Sequence, residues 1–310
     1  MIKVKRILGI IELAIYSAYI KGEQPVSVLI TAPPESGKTN MVLKFSHNKG
    51  CLELDDATAY GIIKHYGEKI CLRKIRHLII PDLVKPMSRQ KETVHGLIAF
   101  FNSLIEEGIV RTATYAEHLE ITLSDDEEKK TDCDDDTEEK QDDCENTNDG
   151  DDDPDDERQA IAVKCGLIAT LAKEMMLDGR HHWTRMGFMS RMIVVSYDYD
   201  ISTQAQIHDA IADRQYLTDE KITLNLPEED VEIKLNKREA MEISKLAIQL
   251  VALDKSEENT EKAYGFRLQK NLQRLAMANA LKHDRRTVNQ EDIERLRKLS
   301  RFMNLNYYPI

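Results

Sequence analysis

The chemically most distinctive stretch of the sequence is a run of eight residues: Ala32, Pro33, Pro34, Glu35, Ser36, Gly37, Lys38 and Thr39. It fits the pattern GxxxxGK[ST] of phosphate-binding loops, except that Ala32 stands at the first glycine position. Backbone N–H groups of such a loop and of the helix that follows attract phosphate. Lys38 would reach the β- and γ-phosphates, and the Thr39 hydroxyl would bind Mg²⁺. We predict that these residues and Asn40 bind ATP and Mg²⁺; the alternative is a chance Gly-Lys-Thr.

A carboxylate further along the chain, Asp82, suits the metal site of such a loop. Residues 76–82 are largely apolar and predict a buried strand with Asp82 at its carboxyl end. There Asp82 would hold the water shell of Mg²⁺; the alternative is an aspartate that caps a turn or a helix after Pro81. Hydrolytic enzymes usually have Glu immediately after this Asp, but here the next residue is Leu83. Hydrolysis therefore requires another acid, such as Glu35.

The surrounding sequence predicts an α/β fold that positions these side chains. Apolar runs predict strands over residues 26–30, 76–82, 165–170 and 191–199. Periodic apolar residues predict helices over 7–15, 37–45 and 88–107, the last capped by Ser88. Helices alone are predicted over 236–254, 264–283 and 289–304, where Asn289 and Asp292 resemble a capping box. We expect a phosphate-loop NTPase domain with a parallel sheet (residues 1–225) and an all-α lid domain (226–310).

A strongly acidic segment, residues 125–157, separates strand-like stretches at 109–121 and 158–171. The segment has 20 acidic residues and 3 lysines. Such a segment is too polar and too self-repelling to fold, so we predict a β-hairpin insertion (109–171) with a disordered acidic tip. Subtracting the segment from the chain's 43 basic and 55 acidic residues leaves 40 and 35. The net charge of −12 therefore comes from the acidic segment, and the other residues together are mildly basic.

Several classes of protein are excluded by the sequence. The longest apolar-looking run, residues 7–20, contains Glu12 and lacks a small-residue cleavage site, so it predicts neither a membrane span nor a signal peptide. The five cysteines include no CxxC pair, which disfavours a zinc site and a disulfide framework. We expect a cytoplasmic protein that does not contact membranes.

The order of these features resembles the AAA+ ATPases, especially the branch of the minichromosome maintenance helicases and MoxR-type ATPases. The resemblance covers residues 5–305, although only the phosphate loop is specific by itself. It implies that Thr170, on the strand at 165–170, positions the attacking water in place of the usual Asn; the alternative is strand-end capping. It also implies that Leu8 and Gly9 cover the adenine, the alternative being ordinary helix packing.

The same resemblance assigns roles to two arginines. Residues 187–191 (GFMSR) are similar to the family motif whose arginine contacts the ATP of a neighbouring subunit, which makes Arg191 the expected arginine finger. Arg180 and Arg185 are competitors for this role. Arg267, at the start of a lid helix, corresponds to the arginine that touches the γ-phosphate. Each of these arginines has the alternative of a solvated surface charge. An arginine supplied by a neighbour implies a ring or helical homo-oligomer.

The charge of the predicted lid points to a possible target. Residues 262–301 contain 11 Lys or Arg and 4 Asp or Glu, which suits nucleic acid; the alternative is a solvated helical surface. The acidic tip, in contrast, would be repelled by nucleic acid. We expect a motor or remodeller linked to DNA. The alternatives are an ATP-gated assembly switch with slow or no hydrolysis, and a MoxR-like remodeller of proteins. Each would work with a partner protein, because the ATPase module takes up almost the whole chain.

Overall fold

A five-stranded parallel sheet organises the fold. In this computed structural model the described residues are 2–108, 163–214, 220–253 and 264–303, and all of them belong to one compact unit. The strands are β1 (Ser27–Ala32), β2 (Cys51–Glu53), β3 (His77–Ile80), β4 (Gly166–Ala172) and β5 (Met192–Ser196). Their order across the sheet is β2-β3-β4-β1-β5, and every neighbouring pair is parallel. The predicted α/β class and parallel sheet are thereby confirmed, and both are compatible with a phosphate-loop NTPase.

Helices pack against this sheet and complete its core. They are α1 (Ile2–Ser17), α2 (Lys38–Leu43), α3 (Ala59–Cys71), α4 (Val84–Met87), α5 (Lys91–Asn102), α6 (Lys173–Arg185), α7 (Ile201–Ala212), α8 (Lys237–Leu253), α9 (Phe266–Lys282) and α10 (Gln290–Leu299). Every residue of β1, β3 and β5 is buried, as expected for parallel strands covered on both faces. Within the described ranges, no helix is both long enough and apolar enough to cross a membrane.

Successive residues of β1 face two different cores. Val28 and Ile30 belong to a cluster that includes α1, α9 and α10. Leu29, between them, belongs to a second cluster that includes Leu78 of β3 and Phe101 of α5. This alternation follows from the two-residue period of a strand. The phosphate loop therefore begins at the end of a strand that is held from both sides.

The parallel arrangement gives the sheet two chemically different edges. At the carboxyl edge lie the residues that come just after the strands, including Pro33 directly after β1, Asp82 two residues after β3 and Lys173 directly after β4. At the amino edge lie the residues that precede the strands, such as Cys165 and Arg191. In open parallel sheets, ligands bind outside the carboxyl ends of the strands.

One predicted helix boundary is wrong. The sequence favours Ser88 as the N-cap of a helix through Glu107, but Ser88 ends the short helix α4 and its hydroxyl donates to the Val84 carbonyl at 2.7 Å. The N-cap of α5 is Gln90, and a π-helical turn, Ser103–Glu107, follows α5. The hydroxyl of Ser88 is thus used by the preceding turn. The predicted strand at 109–121 and the acidic segment lie outside the described residues.

The predicted capping box at the start of α10 is confirmed. The Asn289 side chain accepts from the backbone N–H groups of Glu291 and Asp292. In return, Asp292 Oδ2 accepts from the N–H of Asn289 at 2.8 Å. The Asp292 carboxylate, which is fully buried, also accepts from Asn279 at 2.6 Å and from both terminal nitrogens of Arg285 at 2.7 and 2.8 Å. One carboxylate therefore links α9, the turn after it and α10.

We expect Asp292→Asn to lower the free energy of unfolding by about 3 kcal/mol, because it removes a buried negative charge and one of the two oxygens that accept from Arg285. Urea unfolding at neutral pH measures this change. Glu291→Gln is the matched control, because Glu291 is the exposed neighbour of Asp292. This variant should change the free energy of unfolding by no more than about 0.5 kcal/mol. Equal losses in the two variants would contradict a special role for Asp292.

Candidate functional site

The predicted phosphate loop, hereafter the phosphate loop, lies at the carboxyl edge between β1 and α2. Its backbone turns through two left-handed residues, Glu35 (φ 60°) and Gly37 (φ 78°). Gly37 is required by this conformation rather than by space, since a Cβ there would have no described protein atom within 4 Å. Gly37, Thr39 and Asn40 are exposed. Ala32 and Ser36 of the same stretch are buried, so only part of the stretch from Ala32 to Asn40 is accessible at the carboxyl edge of the sheet.

Lys38 is bent back across this turn. Its Nζ donates to the Pro33 carbonyl at 3.2 Å. Partial burial lowers the pKa of Lys38, and the negative charges of Asp82 and Glu174 oppose that shift. The charges of both carboxylates therefore act on the ammonium group, and the negative charge of a bound phosphate would stabilise its protonated form in the same way.

The carbonyl of Pro81 joins three of the predicted site residues. It accepts from the Thr39 hydroxyl at 3.3 Å and from the Thr170 hydroxyl at 2.5 Å, and Asp82 follows it directly in the chain. The structure thereby brings Thr39, Asp82 and Thr170 together beside the phosphate loop. Thr170 is 1% exposed, and its own carbonyl accepts from the N–H of Leu83 at 2.9 Å.

Asp82 serves as a cap in this conformation. Its Oδ1 accepts from the N–H of Val84 at 2.9 Å, which corresponds to the capping alternative. A carboxylate has a second oxygen, however, and this cap engages only one of the two. Asp82 is half-buried rather than fully buried, which is compatible with a further contact to a cation's water shell.

The residues present fit a Mg²⁺ ion that is bound together with nucleotide. Within the described parts of the chain, no group of three or more His, Cys, Asp or Glu side chains is arranged to hold a metal. Mg²⁺ does not need such a cage, because it usually binds through one or two carboxylates, water and substrate phosphates. Thr39 and Asp82 supply the hydroxyl and the carboxylate for that arrangement.

One acidic residue at this edge was missed by the sequence reasoning. Glu174 lies in the first turn of α6, just beyond β4, and it is exposed. Its charge acts on the ammonium group of Lys38. The available signal was its position four residues after Thr170, immediately past a strand that ends beside the phosphate loop. Glu174 is thus a carboxylate near the loop, at a strand end where the sequence reasoning placed none.

Two tyrosines beyond β5 were also missed. The hydroxyls of Tyr197 and Tyr199 both donate to the backbone carbonyl of Ser36, at 3.1 and 2.7 Å. The same tyrosines line a cavity of about 370 Å³, together with Ser196, Asp198, Asp200, Arg301 and Phe302. The segment after β5 is therefore hydrogen-bonded to the phosphate loop through these two side chains.

The two predicted functional arginines meet at the amino edge. Nε of Arg191 lies 2.7 Å from Oε2 of Glu106, and Arg267 binds both oxygens of the same carboxylate at 2.9 Å. Arg267 also donates to the Ser190 hydroxyl at 3.2 Å. Glu106 belongs to the π-helical turn whose Leu104 carbonyl accepts from the N–H of Cys165, just before β4. The phosphate loop lies at the opposite edge.

The electrostatics of this cluster favour an ionised Glu106. Burial tends to raise the pKa of Glu106, but the hydrogen bonds and positive charges of Arg267 and Arg191 outweigh it, so the pKa lies below its ordinary value. The cluster carries one negative and two positive charges, which leaves an excess of one positive charge.

Leu8 and Gly9 are packing residues of α1, and Gly9 lies against α10. A Cβ at Gly9 would approach a guanidinium nitrogen of Arg295 to 2.6 Å, so glycine allows this close contact. Leu8 packs on the core cluster around α1. These contacts correspond to the helix-packing alternative for both residues.

The basic residues near the C-terminus are partly used inside the protein. Five of them form ion pairs: Arg267 with Glu106, Arg274 with Glu23, Lys282 with Glu12, Arg285 with Asp292, and Arg297 with Glu242. Lys270, Arg286, Lys298 and Arg301 are exposed. The charge that faces solvent is thus smaller than the composition of this region implies.

Comparison with known proteins leaves the family open. No protein-family model matches the sequence, and no curated protein matches it at a significant level.

Proposed function

We propose that this protein is an ATPase of the AAA+ type that binds Mg-ATP at the phosphate loop. The observation that carries the proposal is the convergence of Lys38, Thr39 and Asp82 at the carboxyl edge of a parallel sheet, where Thr39 donates to the Pro81 carbonyl and the charge of Asp82 acts on Lys38. This combines a cation for phosphate oxygens, a hydroxyl and carboxylate for Mg²⁺, and a turn with accessible backbone N–H groups. In this proposal ATP and Mg²⁺ are the ligands.

Hydrolysis is proposed to use Glu174 as the acid that orients water. Leu83, which follows Asp82, is 1% exposed and apolar, so it contributes nothing to that step. Glu174 projects from the same edge close enough to Lys38 to act on its charge. A positioned carboxylate of this kind is worth about 100-fold or more in rate.

Assembly is proposed because Arg191 lies at the amino edge, away from the phosphate loop of its own chain. An arginine there is better placed to reach the nucleotide of a neighbouring copy. In that arrangement the γ-phosphate would take the place of Glu106 as the anionic partner of Arg191. The proposed active form is therefore a homo-oligomer in which each site is completed by the next subunit.

The proposed target is nucleic acid, contacted through exposed basic residues such as Lys298 and Arg301. We expect single- or double-stranded DNA to raise ATP turnover, and we expect Lys298→Glu combined with Arg301→Glu to weaken DNA binding and reduce its salt dependence, since two phosphate contacts are lost. Fluorescence anisotropy across a salt series measures both quantities. Lys85→Glu, which changes an exposed lysine on α4, is the control and should alter neither.

A second candidate function is favoured by the buried Leu83. Without an acid directly after Asp82, the protein would bind ATP, assemble and recruit a partner protein with little turnover. Light scattering with ATP, combined with a phosphate-release assay, separates the two functions. ATP-dependent oligomers with background turnover support the switch; turnover that falls when Arg191→Ala protein is mixed into wild type supports the ATPase.

A further inference from the structure

The peptide bond between Ser36 and Gly37 sits at the centre of the phosphate loop. In a trans peptide the C=O and the N–H point in opposite directions. Whatever holds the Ser36 carbonyl on one side of the loop therefore turns the Gly37 N–H to the other side. Gly37 has left-handed φ and is exposed, so its N–H belongs to the accessible face of the turn.

Two hydroxyl groups hold that carbonyl. Tyr199 donates to it at 2.7 Å and Tyr197 at 3.1 Å, and a carbonyl oxygen has two lone pairs to accept both. The Tyr197 hydroxyl also lies 3.4 Å from the Ser36 hydroxyl. A spacing of two residues keeps the tyrosine side chains on one side of an extended segment. Ser36 is 6% exposed, so its carbonyl has little access to solvent as a substitute partner.

We propose that Tyr197 and Tyr199 are positioning residues of the phosphate loop, which fix the Ser36–Gly37 peptide so that its N–H faces the phosphates of the nucleotide. The inference rests on the proposed function and deepens it by assigning the orientation of the loop to a segment beyond β5. The ligand class is the polyphosphate chain itself, without a requirement for the base.

Burial and ring packing hold the Tyr197 and Tyr199 hydroxyl groups in place as hydrogen-bond donors. Tyr197 is 3% exposed, and its ring lies 5.5 Å from that of Tyr199. Burial raises the pKa of Tyr197 and of Tyr199, so both hydroxyls keep the proton that they donate well into the alkaline range. The peptide is therefore oriented before any ligand arrives, which reduces the ordering that binding would require.

The experiment uses inorganic tripolyphosphate and ATP, each with Mg²⁺, as calorimetric ligands of the full chain. We expect Tyr197→Phe combined with Tyr199→Phe to weaken both ligands by about tenfold, because two hydrogen bonds that orient the loop are lost. The single variant Tyr199→Phe should lose less, and it provides the test if the double variant does not fold. In NMR spectra, the downfield shift of the Gly37 amide proton on adding tripolyphosphate should shrink in both variants.

Tyr19→Phe is the matched control. It removes another tyrosine hydroxyl that donates to a backbone carbonyl, that of Lys49, at 2.8 Å. A purely structural role predicts that this variant loses as much affinity as Tyr199→Phe, and that result would overturn the inference. Wild-type affinity in both tyrosine-pair variants would also overturn it. If the wild type binds no tripolyphosphate, or if Lys38→Ala binds it normally, the proposed function itself fails and the inference falls with it.

Discussion

Lys38→Ala should lower the affinity for ATP by about 10- to 100-fold, because charge-assisted hydrogen bonds to phosphate oxygens are lost. The Lys38 ammonium is partly buried, and its pKa is lowered by that burial. A phosphate should bind a partly buried ammonium group more favourably than a fully solvated one, because less water has to be displaced from the lysine when the phosphate binds. Calorimetry or fluorescent-nucleotide titration with Mg²⁺ measures the change.

Lys44→Ala provides the comparison for this prediction. Lys44 follows α2 directly, and its Nζ donates to the Glu220 carbonyl at 3.1 Å, away from the loop. It therefore has the same residue type and nearly the same place in the sequence but no part in the site. ATP affinity that falls equally in both variants, or in neither, would refute nucleotide binding at this loop.

The pH dependence of ATP binding follows from the same shift. A lysine with a lowered pKa loses its proton at a lower pH than an ordinary lysine. We therefore expect the affinity of the wild type to decline earlier on the alkaline side than for a site built on a solvated lysine, and the Lys38→Ala variant to lack this decline.

The local parts of the site were accessible from the sequence because their signals lie close together in the chain. The phosphate loop needs a strand, a turn and a helix within a few residues, and all three are present between Ser27 and Leu43. The capping box of α10 depends on Asn289 and Asp292, three residues apart. Asp82 followed from one apolar run that ends in a carboxylate.

The other residues of the site depend on the order of the strands in the sheet, which cannot be deduced from local sequence patterns. Tyr197 and Tyr199 reach Ser36 only because β5 is the neighbour of β1. Glu174 reaches the site because β4 is the neighbour on the other side. The pairing of Arg191 and Arg267 on Glu106 joins three distant stretches of the chain, and no local pattern marks Glu106 as their partner.

An arginine at the position of Arg267 could either contact a phosphate or form an ion pair within the protein. The family resemblance implies a contact with the γ-phosphate, whereas here Arg267 binds Glu106 and Ser190 at the amino edge. Arginine at a helix start is compatible with both. The helical pattern fixes the residue's place on α9, but its partner depends on how α9 lies against the sheet.

Glu174→Gln should lower ATP turnover by about 100-fold while leaving ATP affinity within a few-fold of wild type. Gln keeps the size of the side chain but neither carries the charge nor accepts a proton from water. The negative charge of Glu174 also opposes the burial that lowers the pKa of Lys38. Its removal lowers the pKa of Lys38 further, but it also takes away a negative charge that would repel the γ-phosphate. These two effects on binding oppose each other, so the loss should fall on kcat rather than on binding.

Asp178→Asn tests whether any carboxylate on α6 would do. Asp178 is exposed and lies one turn beyond Glu174 on the same helix, but it is not among the charges that act on Lys38. We expect Asp178→Asn to turn over ATP at the wild-type rate in a phosphate-release assay. If Glu174→Gln also keeps that rate, hydrolysis uses a different acid. If the wild type itself binds ATP without turnover, the absence of an acid at Leu83 is not compensated, and ATP serves as a switch for assembly.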